Sequence, residues 1–167
     1  MKDNYIVFSV ADTAYALASQ QVAHVEMVEH ITPVPNATSV IDGVVFSRGE
    51  IVPALNLRAR FGFPRIANDL RTRLLVVRHD GRTAGLLVDA AREFMVIPAA
   101  AIHPPNEGLR GMSGRYLSGI ATIGDRMVLI LDLAEVLNLG EALPAGDIDP
   151  AAGSPNRSMS WQGGTEQ

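Results

Sequence analysis

Cysteine is absent from the 167-residue chain. Thiol nucleophiles, thiolate metal sites and disulfide scaffolds are therefore excluded. Lysine is almost absent, since Lys2 is the only one among 14 basic residues. That rules out a phosphate loop ending in Gly-Lys-Ser/Thr and an internal Schiff-base lysine. The remaining positive charge is arginine, the cation suited to planar, bidentate contacts, although a codon bias toward arginine explains the ratio equally well. Aromatic residues are scarce, 5% against 47% hydrophobic in all, so the core falls to Val, Ile, Leu and Ala. Apolar stretches such as Leu74–Val77 and Met127–Leu131 are far shorter than the ~20 residues a membrane-spanning helix needs, and no direct membrane insertion is expected. No apolar stretch near Met1 reads as a secretory leader, so a cytoplasmic location is expected. A net charge of −4 argues against dedicated nucleic-acid binding.

The chain does contain short β-branched runs closed by turn residues, the pattern of strands. Tyr5–Val10 and Ala14–Ala18 flank Ala11-Asp12-Thr13, and Leu74–Val77 and Thr83–Val88 flank Asp80-Gly81, a type I′ hairpin signal. Gly43–Ser47 and Ile51–Leu55 flank Arg48-Gly49-Glu50; Leu117–Ile123 and Met127–Leu131 flank Gly124-Asp125, which suits a II′ turn. Val22–Val28 alternates Val22, His24, Glu26 and Val28 on one face with Ala23, Val25 and Met27 on the other, and Phe94–Ile97 runs into Pro98. A short helix is expected over Asp132–Leu139, capped by Asp132 and stopped by Gly140.

These segments repeat. Gly43–Phe61 shifted by 76 positions falls on Gly119–Leu137, and the preceding strands correspond at a shift near 69, as Leu17 with Leu86, Val25 with Phe94 and Val28 with Ile97. Each half reads hairpin, third strand, Pro-rich connection, second hairpin, short helix. Two small five-stranded sheets, each curled into a barrel to hide its edges, are expected at about 5–61 and 74–139 of a domain covering 1–140. The intervening Arg58–Arg73 carries five arginines against Asp69. With Phe61 and Phe63 it offers either an anionic or RNA-binding stretch or a solvated loop between the halves. From 141 to 167 the composition predicts a disordered tail. It holds Glu141, Asp147, Asp149 and Glu166 against Arg157, three of the four net negative charges. Trp161 in it is either an idle ring or a docking anchor.

Catalytic patterns are missing. His24, His30, His79 and His103 show no H-x-x-x-H or H-E-x-x-H spacing, and Gly111-Met112-Ser113-Gly114 is not a nucleophile elbow. Asp80 and Asp125 sit at turn tips, where Asp bonds to backbone. No catalytic residue, metal or cofactor is expected, and the weight moves toward a binding module.

Gly43–Arg58, GVVFSRGEIVPALNLR, narrows the reading. It resembles the G-V-x-N-L-R-G-x-I-V-P-x-x-D-L-R hallmark of the CheW-like family of bacterial chemosensory adaptors. The likeness extends through YIVFSVADTAYAL, GRTAGLLVDAAREFMVIP and YLSGIATIGDRMVLILDLAEVL, from about Tyr5 to Leu139. The resemblance implies a mainly β fold of two Src-homology-3-like β-barrels packed side by side, with short helices. It also implies a non-enzymatic coupler between a CheA-type histidine kinase and the cytoplasmic tips of methyl-accepting receptors. Such a coupler is monomeric in isolation and is recruited to receptor arrays at the inner face of the membrane. Family members carry at the position of Arg48 an arginine that pairs with a glutamate on the third strand; here His24 occupies that position, and Glu26 on the same face is a candidate substitute. Phe46-Ser47 replaces the hallmark's Asn-Leu, and Asn56 its Asp. Arg48, Gly49, His24 and Glu26 are the expected partner-binding residues. Val22, Val25, Val28, Val34, Val44 and Val88 line an inter-barrel groove or pack the core. Two alternatives accompany this reading. One is a divergent coupler for a pilus or other non-flagellar output; the other is a small hydrolase or ligand-binding barrel with a site around His24, His79 or His103.

Overall fold

A computed structural model of the protein describes residues 2–105 and 113–139. Strands β1 (Lys2–Val10) and β2 (Thr13–Ala18) form the first hairpin, followed by β3 (Val22–Met27) and a second hairpin of β4 (Ile41–Ser47) and β5 (Glu50–Asn56). The helical turn α1 (Leu57–Arg60) closes the first half. The second half repeats the order with β6 (Arg73–His79), β7 (Arg82–Val88), β8 (Ala90–Pro98), a two-residue β9 (Ile102–His103), β10 (Leu117–Ile123), β11 (Arg126–Leu131) and α2 (Leu133–Val136).

The strand pairing departs from the expected barrels at 5–61 and 74–139. One sheet has the order β8-β1-β2-β11-β10-β9 and the other β3-β6-β7-β5-β4. Each sheet thus takes its opening hairpin from one half of the chain and its other strands from the other half. The exchange takes place at two short connections. Only Asp89 separates β7 from β8, and only a 3₁₀ turn, Ser19–Gln21, separates β2 from β3. At both links the chain passes from one sheet into the other, so the third strand of each half does not return beside its own hairpin. The first sheet also has six strands where five were expected, through β9; in the second, the isolated bridge Thr32–Val44 stands in its place.

The repeat survives the exchange residue by residue. Leu74, Val76, Leu87, Val28, Val45 and Ala54 pack together in one barrel, at the repeat positions of Tyr5, Val7, Ala18, Ile97, Ala121 and Ile130 in the other. The parallel pairs match too, Ala54 with Gly85 and Ile130 with Ala16. The opening hairpins are buried on both faces: Tyr5 and Val7 enter their own barrel, while Ile6, Phe8 and Val10 on the opposite face are also buried. β1 packs against β7, so these hairpins form the joint between the barrels. A near-continuous apolar run is what a strand buried on both faces requires.

α2 is a single turn, shorter than the expected helix over 132–139. Asp132 caps it, its Oδ1 accepting from Glu135 N at 3.3 Å, as Asn56 Oδ1 accepts from Ala59 N at 3.0 Å in α1. Leu137–Gln167 is a unit separate from Met1–Val136. In it Leu139 N donates to Leu137 O; Gly140, the tail and Trp161 lie outside the described residues. No helix among the described residues is long and apolar enough to cross a membrane.

Candidate interaction site

The β4–β5 hairpin presents Arg48 on a two-residue turn, with φ of 48° at Arg48 and 85° at Gly49. Two positive φ values make a type I′ turn, whose twist matches that of the strands. Glycine meets that demand without strain; arginine does not. The Arg48 side chain is exposed and forms no hydrogen bond or ion pair among the described residues.

The pairing implied for Arg48 with the third strand is not made. His24 and Glu26 instead turn toward Ser47, one residue before Arg48. His24 Nε2 lies 2.6 Å from Glu26 Oε2 and 3.1 Å from Ser47 Oγ, and the Ser47 hydroxyl donates to the same carboxylate oxygen. These residues lie on β3 and β4, the two edges of the five-stranded sheet, and their bonds close the barrel seam. At the equivalent seam of the other barrel, Met95 and Ile123 pack against the core, and Arg126 Nη1 bonds to Glu93 Oε2 at 3.0 Å. The Glu26–Ser47 contact is polar where the equivalent positions, Met95 and Ile123, are apolar.

Sequence reasoning did not single out Ser47 as part of this cluster, nor Phe46 as a surface residue. Ser47 is 3% exposed and Phe46 73%, an inverted polarity for neighbours on one strand. The signal lay in the Phe46-Ser47 replacement of the hallmark's Asn-Leu. Phe46 pairs across the hairpin with Ile51, also exposed. Beside them a cavity of about 380 Å³ is lined by Met27, Glu29, His30, Thr32 and Val44, among others.

The six valines divide. Val22 and Val88 are buried in the strands and have no surface to offer a partner. Val28 packs on the core, and Val44 is half-buried at its bridge with Thr32. Val25 and Val34 are exposed. The histidines do not converge: His24 is held by Glu26 and Ser47, His79 lies 3.6 Å from Asp80 Oδ2, and His103 sits on β9 in the other sheet. Among the described residues no three His, Asp or Glu side chains could hold a metal ion.

The arginines between the halves brace the fold. Arg58 binds Asp89 through Nε at 3.0 Å and Nη2 at 2.8 Å, and Asp89 also accepts from Ala11 N at 2.8 Å. The bonds to Asp89 raise the Arg58 pKa further, against the opposing pull of burial. Arg60 donates to the carbonyls of Val136 and Glu135, and Arg65 to Asp42. Phe61 packs between Tyr15 and Tyr116 with tilted rings, centroids at 5.2 and 5.4 Å. The loop therefore spends much of its charge and aromatic surface internally.

Paired barrels with exposed apolar strands and a tethered loop are the anatomy of a binding scaffold. A profile of the CheW-like domain matches residues 4–141. The chemotaxis protein CheW of Helicobacter pylori is 32% identical over 133 residues, 80% of each chain. Protein FrzA of Myxococcus xanthus is 31% identical over 140 residues, 81% of this chain and 86% of that one. The crystal structure of the scaffolding protein TtCheW from Thermoanaerobacter tengcongensis superposes with a TM-score of 0.75 at 31% identity, over 83% of this chain and 89% of that one. The chain belongs to the CheW-like family of non-enzymatic chemotaxis scaffold proteins.

Proposed function

We propose that the protein couples a CheA-type histidine kinase to the cytoplasmic tips of methyl-accepting receptors, holding each on a different barrel of one rigid body. The observation that carries this reading is a duplicated apolar surface. Val25 and Met27 on β3 are exposed, and so are their repeat equivalents Phe94 and Val96 on β8; Ile51 on β5 is exposed, and so is its equivalent Met127 on β11. Monomers rarely leave large apolar surface uncovered without a use for it. Small apolar centres with polar rims are the usual form of a transient protein interface. Two such centres, fixed relative to each other by the buried opening hairpins, suit a coupler that must engage two partners at once. Recruitment to receptor arrays at the inner membrane face follows from binding the receptor, with no membrane insertion of the coupler itself.

The test is co-sedimentation of the full chain with receptor fragments assembled on vesicles, with and without the kinase. The reading expects the chain to pellet with the receptor alone, and the kinase to pellet only when the chain is present. A kinase that pellets equally well without the chain contradicts it.

A further inference from the structure

We infer that the cavity between β2, β10, β11 and the chain just after α1 is a binding site for a small planar aromatic molecule that carries a hydrogen-bond acceptor. This goes beyond the coupling role and does not depend on it. The cavity holds about 310 Å³, roughly ten water molecules' share of liquid volume and at the low end of the ~300–1,000 Å³ of small-ligand pockets. That is room for a fused pair of rings but not for a partner's helix, which is ~10 Å across. The walls are aromatic, from Tyr15, Phe61 and Tyr116, and aliphatic, from Leu117, Ile120 and Leu129. The aromatic part is held in place from within the protein. Phe61 N donates to Leu57 O at 3.0 Å, and the guanidinium carbons of Arg60 and Arg115 lie 4.9 and 5.0 Å from the centre of the Tyr116 ring. Tilted rings offer faces and edges for another ring to pack on, and a preformed wall spares the ligand the cost of ordering it. One polar group in this lining has no answer. Tyr15 is 7% exposed, yet its hydroxyl forms no hydrogen bond among the described residues. Buried tyrosine hydroxyls ordinarily find a partner. Unlike Thr38 Oγ1, this oxygen is not sealed off, so it stays open to a ligand. Burial raises the Tyr15 pKa, so at neutral pH the hydroxyl keeps its proton and offers it as a donor. A planar ring with a carbonyl oxygen matches both the aromatic wall and this donor.

The probes are coumarin, a planar bicycle with a carbonyl acceptor, and naphthalene, of similar shape without one. Each is titrated into the full isotope-labelled chain and followed by amide NMR shifts. Coumarin is expected to shift the amides of Leu117, Ile120 and Leu129 saturably and to bind more tightly than naphthalene at the same place. Tyr15→Phe is expected to weaken coumarin about three- to tenfold, the worth of one net hydrogen bond, and to leave naphthalene unchanged. Met127→Trp, at a wall residue that is 60% exposed, is expected to weaken both probes by crowding the cavity, and it serves as the test if Tyr15→Phe disturbs the fold. No saturable shift at these amides in the wild type overturns the inference, as does coumarin binding that neither substitution weakens. An equal loss of both probes in a folded Tyr15→Phe also overturns it, because the hydroxyl then contributes packing and no bond to the ligand.

Discussion

A type I′ turn asks both central residues for positive φ, and most L-residues resist it by roughly 1–2 kcal/mol. Arg48 occupies such a position at φ 48°, while the equivalent place in the other half is Gly124 at φ 64°. The fold would be better served by Asn or Gly at 48, so the arginine stands there at a cost in local stability. Arg48→Asn is expected to raise unfolding stability by ~0.5–1 kcal/mol, read from urea denaturation, while weakening partner binding. A variant no more stable than the wild type contradicts this account of the turn. The neighbouring Phe46 and Ser47 carry a similar conflict. An apolar ring faces solvent and a hydroxyl faces the barrel, where it is satisfied by Glu26 and His24. At both positions the residue that folding alone would favour is missing, as expected where a surface serves a partner.

The hairpins hold their register through close backbone approaches. A Cβ built on Gly43 would lie 2.2 Å from the Thr32 carbonyl oxygen, and φ there is 148°, a region few L-residues enter. A Cβ built on its equivalent Gly119 would lie 2.7 Å from Ile102 Cγ2. Both stand at the register shift that bends the strand toward its neighbour. Gly43→Ala is expected to cost more than ~2 kcal/mol in thermal or urea unfolding, since the clash is with backbone that cannot rotate away. A loss under about half that would mean the bridge between Thr32 and Val44 yields easily. At this scale the sequence was readable: strand alternation and turn residues placed ten of the strands, and the repeat predicted which positions of the two halves correspond. The exchange of opening hairpins was not readable as pairing. Both YIVFSV and RLLVV were nonetheless apolar on two faces, a sign that each hairpin lies between two layers. The exchange takes place at two short links, Asp89 and Ser19–Gln21, and these carry no composition signal of their own. The polar seam was hidden for a related reason. His24, Glu26 and Ser47 meet only because the sheet curls until its two edge strands touch.

Seen whole, the protein is two barrels that share their first hairpins and are tied again by Arg58, whose bonds to Asp89 join α1 to the β1–β2 turn through Ala11. A rigid joint of this kind fixes the distance between two outward faces, which a coupler needs and an enzyme with one cleft does not. The family resemblance in the Gly43–Arg58 segment was legible from the start. The apolar faces were not, because Phe46, Phe94 and Met127 look like core residues in a strand until the fold shows which side they take.

The measurement that bears most directly on a two-faced coupler compares Phe46→Asp with Phe94→Asp, each titrated against kinase and receptor fragments after circular dichroism has shown both variants folded. The account predicts that each substitution abolishes binding to one partner, a different one in each case, and leaves the other within about twofold of the wild type. Loss of both partners from either substitution, or of neither from both, would contradict it.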